Sequence, residues 1–90
     1  MNLKIVLLTQ EGCNPCFRVK RLLRDLQVEH LDLVVREVPF SSPEGLELAT
    51  ANSILFPPAV LIGDMLLAKG RIHPEQLREV LFGSRALAPS

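Results

Sequence analysis

The first 26 residues join a buried-strand pattern to a helix pattern, and both cysteines of the chain lie at the junction. Residues 3–9, "LKIVLLT", form a nearly continuous apolar run, which is typical of a central strand covered on both faces. Gly12 ends that run. Asn14 is a favourable N-cap and Pro15 a favourable first helical residue, so we predict that a helix begins there. Cys13 and Cys16 then lie in the turn and in the first turn of the helix.

The predicted helix has a single apolar face. Apolar residues recur at i, i+3, i+4 and i+7, which is the spacing of one buried stripe; they are Val19, Leu22, Leu23 and Leu26. The opposite side is mostly basic, and we interpret it as an ordinary solvated helix surface.

The rest of the chain predicts five more elements. "EHLDLVVREV", residues 29–38, alternates Leu31, Leu33 and Val35 with more polar neighbours, which indicates a second strand. A weaker helix is expected to begin at Ser41 or Ser42, just before Pro43.

Two short apolar runs flank Gly63-Asp64, which predicts a hairpin with a two-residue loop. Pro74 opens the last predicted helix, with Leu77, Val80 and Leu81 on one stripe, and Gly83 ends it. We predict one α/β domain over residues 1–83, with a mixed four-stranded sheet between helices. Residues 84–90 are expected to be a flexible tail.

Composition excludes several classes of function. Ten basic and ten acidic residues balance, so no global charge attracts nucleic acid or anionic lipid. No apolar run has the length of a signal-peptide core or of a membrane span. We therefore expect a cytoplasmic protein that binds neither nucleic acid nor membrane. We also expect it to be a monomer. Thiols are kept reduced there, and a bridge between Cys13 and Cys16 closes too short a loop to constrain the unfolded chain much. The sequence thus argues against a structural disulfide.

The position of the two thiols indicates redox chemistry. They follow a buried strand, at the carboxyl edge of the sheet where α/β proteins place their ligands. Free N–H groups and the positive end of the helix dipole stabilise a thiolate at Cys13. Since only a thiolate attacks a disulfide, we predict that Cys13 is the nucleophile and Cys16 the resolving thiol.

Three segments together resemble the thioredoxin-like superfamily, and within it the small glutaredoxin-type redoxins. "TQEGCNPC" is similar to their strand, turn and CxxC helix start. "PPAVLIGD" resembles their cis-proline followed by an apolar strand and a turn, and "KGRIHPEQLREVL" their last strand and helix. The resemblance implies a three-layer thioredoxin-like sandwich with the order strand, helix, strand, helix, strand, strand, helix. It also implies that Pro58 is a cis-proline facing the cysteines.

The resemblance also implies an activity. The resemblance implies a thiol–disulfide oxidoreductase that reduces protein disulfides or glutathione mixed disulfides. It would hold no bound cofactor and would take electrons from thioredoxin reductase and NADPH, or from glutathione. Five further residues are expected to contact the substrate, namely Gly12, Asn14, Pro15, Pro57 and Pro58. Pro57 has no N–H to donate to a substrate backbone, which should weaken glutathione binding.

The chain also departs from both families. Thioredoxins carry a tryptophan where this sequence has Gly12, and a buried acid where it has Leu7. A proline directly before the second cysteine, here Pro15, is typical of thioredoxins. Glutathione-using glutaredoxins often carry a lysine shortly before CxxC, where this chain has Gln10 and Glu11.

Two other classes of function stay open at this point. One is a metal or iron–sulfur carrier, but His30 on the predicted second strand and His73 at the last helix would not converge on the cysteines. A cluster shared by two chains would draw two thiolates from each chain. The other is a binding module that kept the fold and lost turnover.

Overall fold

The computed structural model describes residues 3–82, which form four strands and three helices. The elements are β1 (Leu3–Thr9), α1 (Asn14–Glu29), β2 (Leu33–Pro39), α2 (Pro43–Ala51), β3 (Ala59–Ile62), β4 (Met65–Lys69) and α3 (Pro74–Phe82). This order confirms the one predicted. The expected helix stop at Gly83 and the tail at 84–90 lie outside the described residues.

The four strands form one mixed sheet in the order β2-β1-β3-β4. β1 pairs parallel with β2 and antiparallel with β3, and β3 pairs antiparallel with β4 across the Gly63-Asp64 loop. The carboxyl ends of β1 and β2 therefore meet at one edge of the sheet, together with the start of β3. Every residue of β1 from Ile5 to Thr9 is buried, which explains the unbroken apolar run.

Two cores cover the two faces of the sheet. Ile5 and Leu7 point to one face, where they pack with the stripe of α1 and with Leu77 of α3. Val6 and Leu8 point to the other, where they pack with Ala49 of α2. Because successive strand residues face opposite sides, the two alternating sets of β1 residues each pack against one layer of helices. The result is the three-layer sandwich expected from the sequence.

The junction between α1 and β2 differs from the prediction. α1 continues to Glu29, and His30 is its C-cap rather than a strand residue. The His30 ring stacks on Phe82 of α3, with the ring centroids 3.7 Å apart. β2 begins only at Leu33, so Leu31 lies in a turn and is 89% exposed. The prediction that Leu31 belongs to the second strand was wrong, because α1 extends to Glu29 and residues 31–32 form the turn before β2.

The two later helices begin where the sequence predicts. The Ser42 hydroxyl caps α2 by accepting the N–H of Gly45 at 3.0 Å, and Pro74 opens α3. The predicted stripe of α3 holds for Leu77, which is buried, and for Leu81, which packs against the core, but Val80 is exposed. Within residues 3–82, no helix is long and apolar enough to span a membrane.

Candidate active site

Cys13 is itself the N-cap of α1. Its backbone is extended, with φ −93° and ψ 104°, and its Sγ accepts the N–H of Cys16 at 3.1 Å. Asn14 and Pro15 are therefore the first two helical residues, so the prediction of Asn14 as the cap was off by one position. The sulfur takes the place of the usual capping oxygen.

The two cysteines form a disulfide, with Cα atoms 5.2 Å apart. Their environments differ: Cys13 is half-buried at the N-terminus of α1, whereas Cys16 is only 4% exposed. A partner protein can therefore reach the sulfur of Cys13 far more easily than that of Cys16.

The start of α1 provides a favourable site for negative charge on Cys13. The first N–H groups of a helix lack partners within it, and the dipole is positive at that end. One of these groups, the N–H of Cys16, already points at Cys13 Sγ. The first turn of α1 contains no acidic residue, so no carboxylate within that turn opposes a thiolate.

A groove of about 350 Å³ lies beside the disulfide, between α1 and the ends of β1 and β2. Both cysteines line it. The remaining lining residues are Thr9, Gln10, Glu11, Gly12, Phe17, Lys20, Glu37 and Pro39. The Phe17 side chain is 62% exposed although it is a large apolar group, and it follows Cys16 directly in the helix.

A short polar network forms one wall of this groove. Glu37 on β2 accepts the Thr9 hydroxyl through Oε2 at 2.9 Å, and its Oε1 lies 3.1 Å from Lys20 Nζ. The Lys20 ammonium, then the Thr9 hydroxyl, lower the pKa of the Glu37 carboxyl. The network ties α1 to the carboxyl ends of β1 and β2 around the cysteines.

The two prolines before β3 reach the same edge of the sheet from the other side. The Pro57–Pro58 peptide bond is cis, as the resemblance implied. Ala59 pairs with Leu8, so Pro58 lies level with Thr9 at the end of β1. Pro58 is buried and its carbonyl accepts the N–H of Gly70 at 2.9 Å.

Comparisons with solved structures agree with this geometry. The chain is similar to the oxidised form of mitochondrial thioredoxin 3 from Saccharomyces cerevisiae, with a TM-score of 0.68, 18% identity, and coverage of 90% of this chain and 77% of that one. Thioredoxin f2 from Chlamydomonas reinhardtii gives a TM-score of 0.60 and 18% identity, covering 99% and 82%. A malarial protein gives 0.66 and 16%, covering 91% and 96%. No protein-family model and no curated protein sequence matches the chain.

The chain has the thioredoxin-like fold. Within that fold, the Cys13–Cys16 pair occupies the turn between the central strand and the first described helix. At these levels of identity the likeness establishes the architecture alone.

The thioredoxin-like fold brings together only some of the residues predicted for the site. Gly12 lines the groove together with both cysteines, and its positive φ of 74° is a conformation that favours glycine. Asn14 and Pro15 are exposed on the first turn of α1 but do not line the groove. Pro57 and Pro58 lie on the β3 side of the sheet edge, and they do not line the groove either.

Seven of the ten groove residues were not predicted for the site, among them Phe17, Lys20 and Glu37. Lys20 was assigned to the solvated basic surface of the helix, although it lies four residues after Cys16 and so on the same face. Phe17 was assigned no role. Glu37 gave no local signal, because its approach to Lys20 depends on the pairing of β1 with β2.

The histidines do not converge on the thiols. His30 stacks on Phe82 at the far end of α1, and His73 precedes α3. Among residues 3–82, no group of three or more histidine, cysteine or acidic side chains is placed to hold a metal ion.

Proposed function

We propose that this protein is a dithiol–disulfide oxidoreductase that reduces disulfide bonds of other proteins, with Cys13 as the attacking and Cys16 as the resolving thiol. The observation that carries the proposal is the unequal exposure of two linked cysteines at a helix N-terminus. A structural disulfide has no need of such an asymmetry, whereas a two-step exchange reaction does.

The first step forms a mixed disulfide. The Cys13 thiolate attacks one sulfur of the substrate disulfide, the substrate S–S bond breaks, and its other sulfur leaves as a thiolate that takes a proton from water. The hydrogen bond from the Cys16 N–H to Cys13 Sγ and the helix dipole stabilise the attacking thiolate.

The second step releases the substrate. The Cys16 thiol loses its proton to solvent, and the resulting thiolate attacks Cys13 Sγ. The mixed disulfide breaks, and the second substrate sulfur leaves and is protonated. The substrate gains two electrons and two protons, and the protein ends with the Cys13–Cys16 disulfide that the structure contains.

A donor of two electrons must then reduce the Cys13–Cys16 disulfide back to the dithiol. We propose thioredoxin reductase with NADPH as that donor, and glutathione as the alternative, in the reducing cytoplasm. Gln10 and Glu11 precede the cysteines where a lysine would favour glutathione, which is why we rank the reductase first. Activity on glutathione mixed disulfides is accordingly expected to be the weaker one.

Reduction of insulin in two parallel assays tests the proposal. One assay couples the protein to thioredoxin reductase and NADPH, the other to glutathione, glutathione reductase and NADPH, and both follow NADPH consumption. We expect catalysis in the first that is lost in Cys13→Ser. Failure of the wild type in both assays, and also with dithiothreitol as donor, would contradict an oxidoreductase and favour a binding module.

A further inference from the structure

The groove beside the disulfide has an uneven charge. Three charged side chains line it, Glu11, Lys20 and Glu37. Lys20 and Glu37 neutralise each other through their 3.1 Å ion pair, and Arg24, which does not line the groove, adds a further positive charge near Glu37. Glu11 makes no ion pair within the part of the chain from Leu3 to Phe82. Among the three charged side chains that line the groove, Glu11 is therefore the one without an ion-pair partner in the described part of the chain.

The position of Glu11 makes this charge relevant to the substrate. It lies two residues before Cys13, is exposed, and belongs to the same groove wall as Gly12. A polypeptide joined to Cys13 by a mixed disulfide must place the residues next to its own cysteine within a few ångströms of this turn. The Phe17 ring offers that polypeptide an exposed apolar contact on the α1 side.

We propose that Glu11 is a specificity-determining residue that selects protein disulfides whose cysteine is flanked by lysine or arginine. This inference rests on the proposed function and names its substrate class. A cationic neighbour of the substrate cysteine gains attraction from Glu11, while an acidic neighbour is repelled. Glutathione bears a net negative charge, so the same residue disfavours it.

The charge effect is modest because Glu11 is exposed to water, which screens it. We expect about a fivefold preference for a lysine-flanked over a glutamate-flanked substrate at low salt. The preference should shrink towards unity in ~1 M salt, where the Debye length falls to about 3 Å.

Three short peptides test the inference directly. Each carries one cysteine as a thiopyridyl mixed disulfide, flanked on both sides by lysine, alanine or glutamate. The rate of thiopyridone release by the reduced protein is measured and divided by the rate with dithiothreitol, which removes the intrinsic reactivity of each peptide. The lysine-to-glutamate ratio also cancels any effect of Glu11 on the ionisation of Cys13, because that effect is common to all peptides.

We expect the ratio to be about five in the wild type, close to one in Glu11→Gln, and below one in Glu11→Lys. Glu47→Gln is the matched control, because Glu47 is an exposed glutamate on α2 that does not line the groove, and it should keep the wild-type ratio. A wild-type ratio of one, or a ratio unchanged in Glu11→Gln, overturns the inference while fast reaction of all peptides leaves the proposed function standing. No reaction faster than with dithiothreitol, even for the alanine peptide, overturns the proposed function and this inference with it.

Discussion

Cys13 caps the helix that buries Cys16: the Sγ of the first residue accepts the backbone N–H of the second at 3.1 Å. The two thiols of the pair are therefore coupled through the first turn of α1 and are not equivalent. Cys13 receives the hydrogen bond at the N-terminus of α1, whereas Cys16 is almost completely buried. This inequality supports the proposed assignment of Cys13 as the attacking and Cys16 as the resolving thiol.

Reduced protein should be alkylated at Cys13 well before Cys16. Cys13 is more accessible and its thiolate is stabilised by the helix N-terminus, so it should react at a lower pH. Brief treatment with iodoacetamide at about pH 6, followed by peptide mass spectrometry, measures the labelling at each position. Equal labelling would contradict the assigned roles, and labelling of Cys16 alone would reverse them.

The Glu37 network should contribute a small, pH-dependent stability. Lys20 and Thr9 hold the folded-state pKa of Glu37 below its ordinary value of 4.5. A carboxyl whose pKa is lowered by folding stabilises the protein above the unfolded value, and this contribution disappears as pH falls through the folded value. Glu37→Gln should therefore lower the free energy of unfolding by about 0.5 kcal/mol at pH 7, since the pair is partly exposed.

Urea unfolding from pH 7 down to pH 3 measures this difference. The gap between wild type and Glu37→Gln should narrow below pH 4.5, while Glu47→Gln, which breaks no ion pair within the described chain, serves as the control. A gap that stays constant across this range would show that the network does not depend on the charge of Glu37.

Gly45 should tolerate no side chain. A Cβ at this position in the first turn of α2 would lie 2.1 Å from the Pro39 carbonyl oxygen and 2.7 Å from that of Phe40. Both contacts are with backbone, so α2 must move. Gly45→Ala should therefore destabilise the protein by about 1–3 kcal/mol despite the better helix propensity of alanine.

Thermal or urea unfolding checks this prediction, with Glu47→Ala in the next turn of the same helix as the control. Equal or greater stability of Gly45→Ala would mean that α2 does not approach the end of β2 as closely as described.

Local sequence patterns were sufficient to predict the order of the strands and helices. The buried run of β1, the glycine after it and the stripe of α1 each depend on near neighbours in sequence, and they placed Cys13 and Cys16 correctly. Gly45 shows the limit, because in the sequence it only weakens a helix, whereas the fold needs it where the backbone at Pro39 approaches. The pairing of Lys20 with Glu37 likewise depends on the register of β1 with β2, which short segments do not contain.

The cap of α1 was missed for a different reason. Asn14 is the better capping residue by propensity, yet Cys13 adopts the extended conformation of the cap and supplies its sulfur as the acceptor. The end of the same helix was misplaced because His30 and Leu31 fit a strand pattern as well as a helix end followed by a turn. Stacking of His30 on Phe82, far along the chain, accompanies the second arrangement.

The most direct test of the two-step mechanism is trapping of its intermediate. Reduced Cys16→Ser and Cys13→Ser proteins are mixed with a protein disulfide substrate, quenched in acid, and analysed by non-reducing intact-mass spectrometry. We predict that Cys16→Ser accumulates a covalent adduct through Cys13, that Cys13→Ser forms almost none, and that the wild type converts to the Cys13–Cys16 disulfide without accumulating adduct. An adduct that forms in Cys13→Ser but not in Cys16→Ser would contradict the assignment of attack to Cys13 and resolution to Cys16.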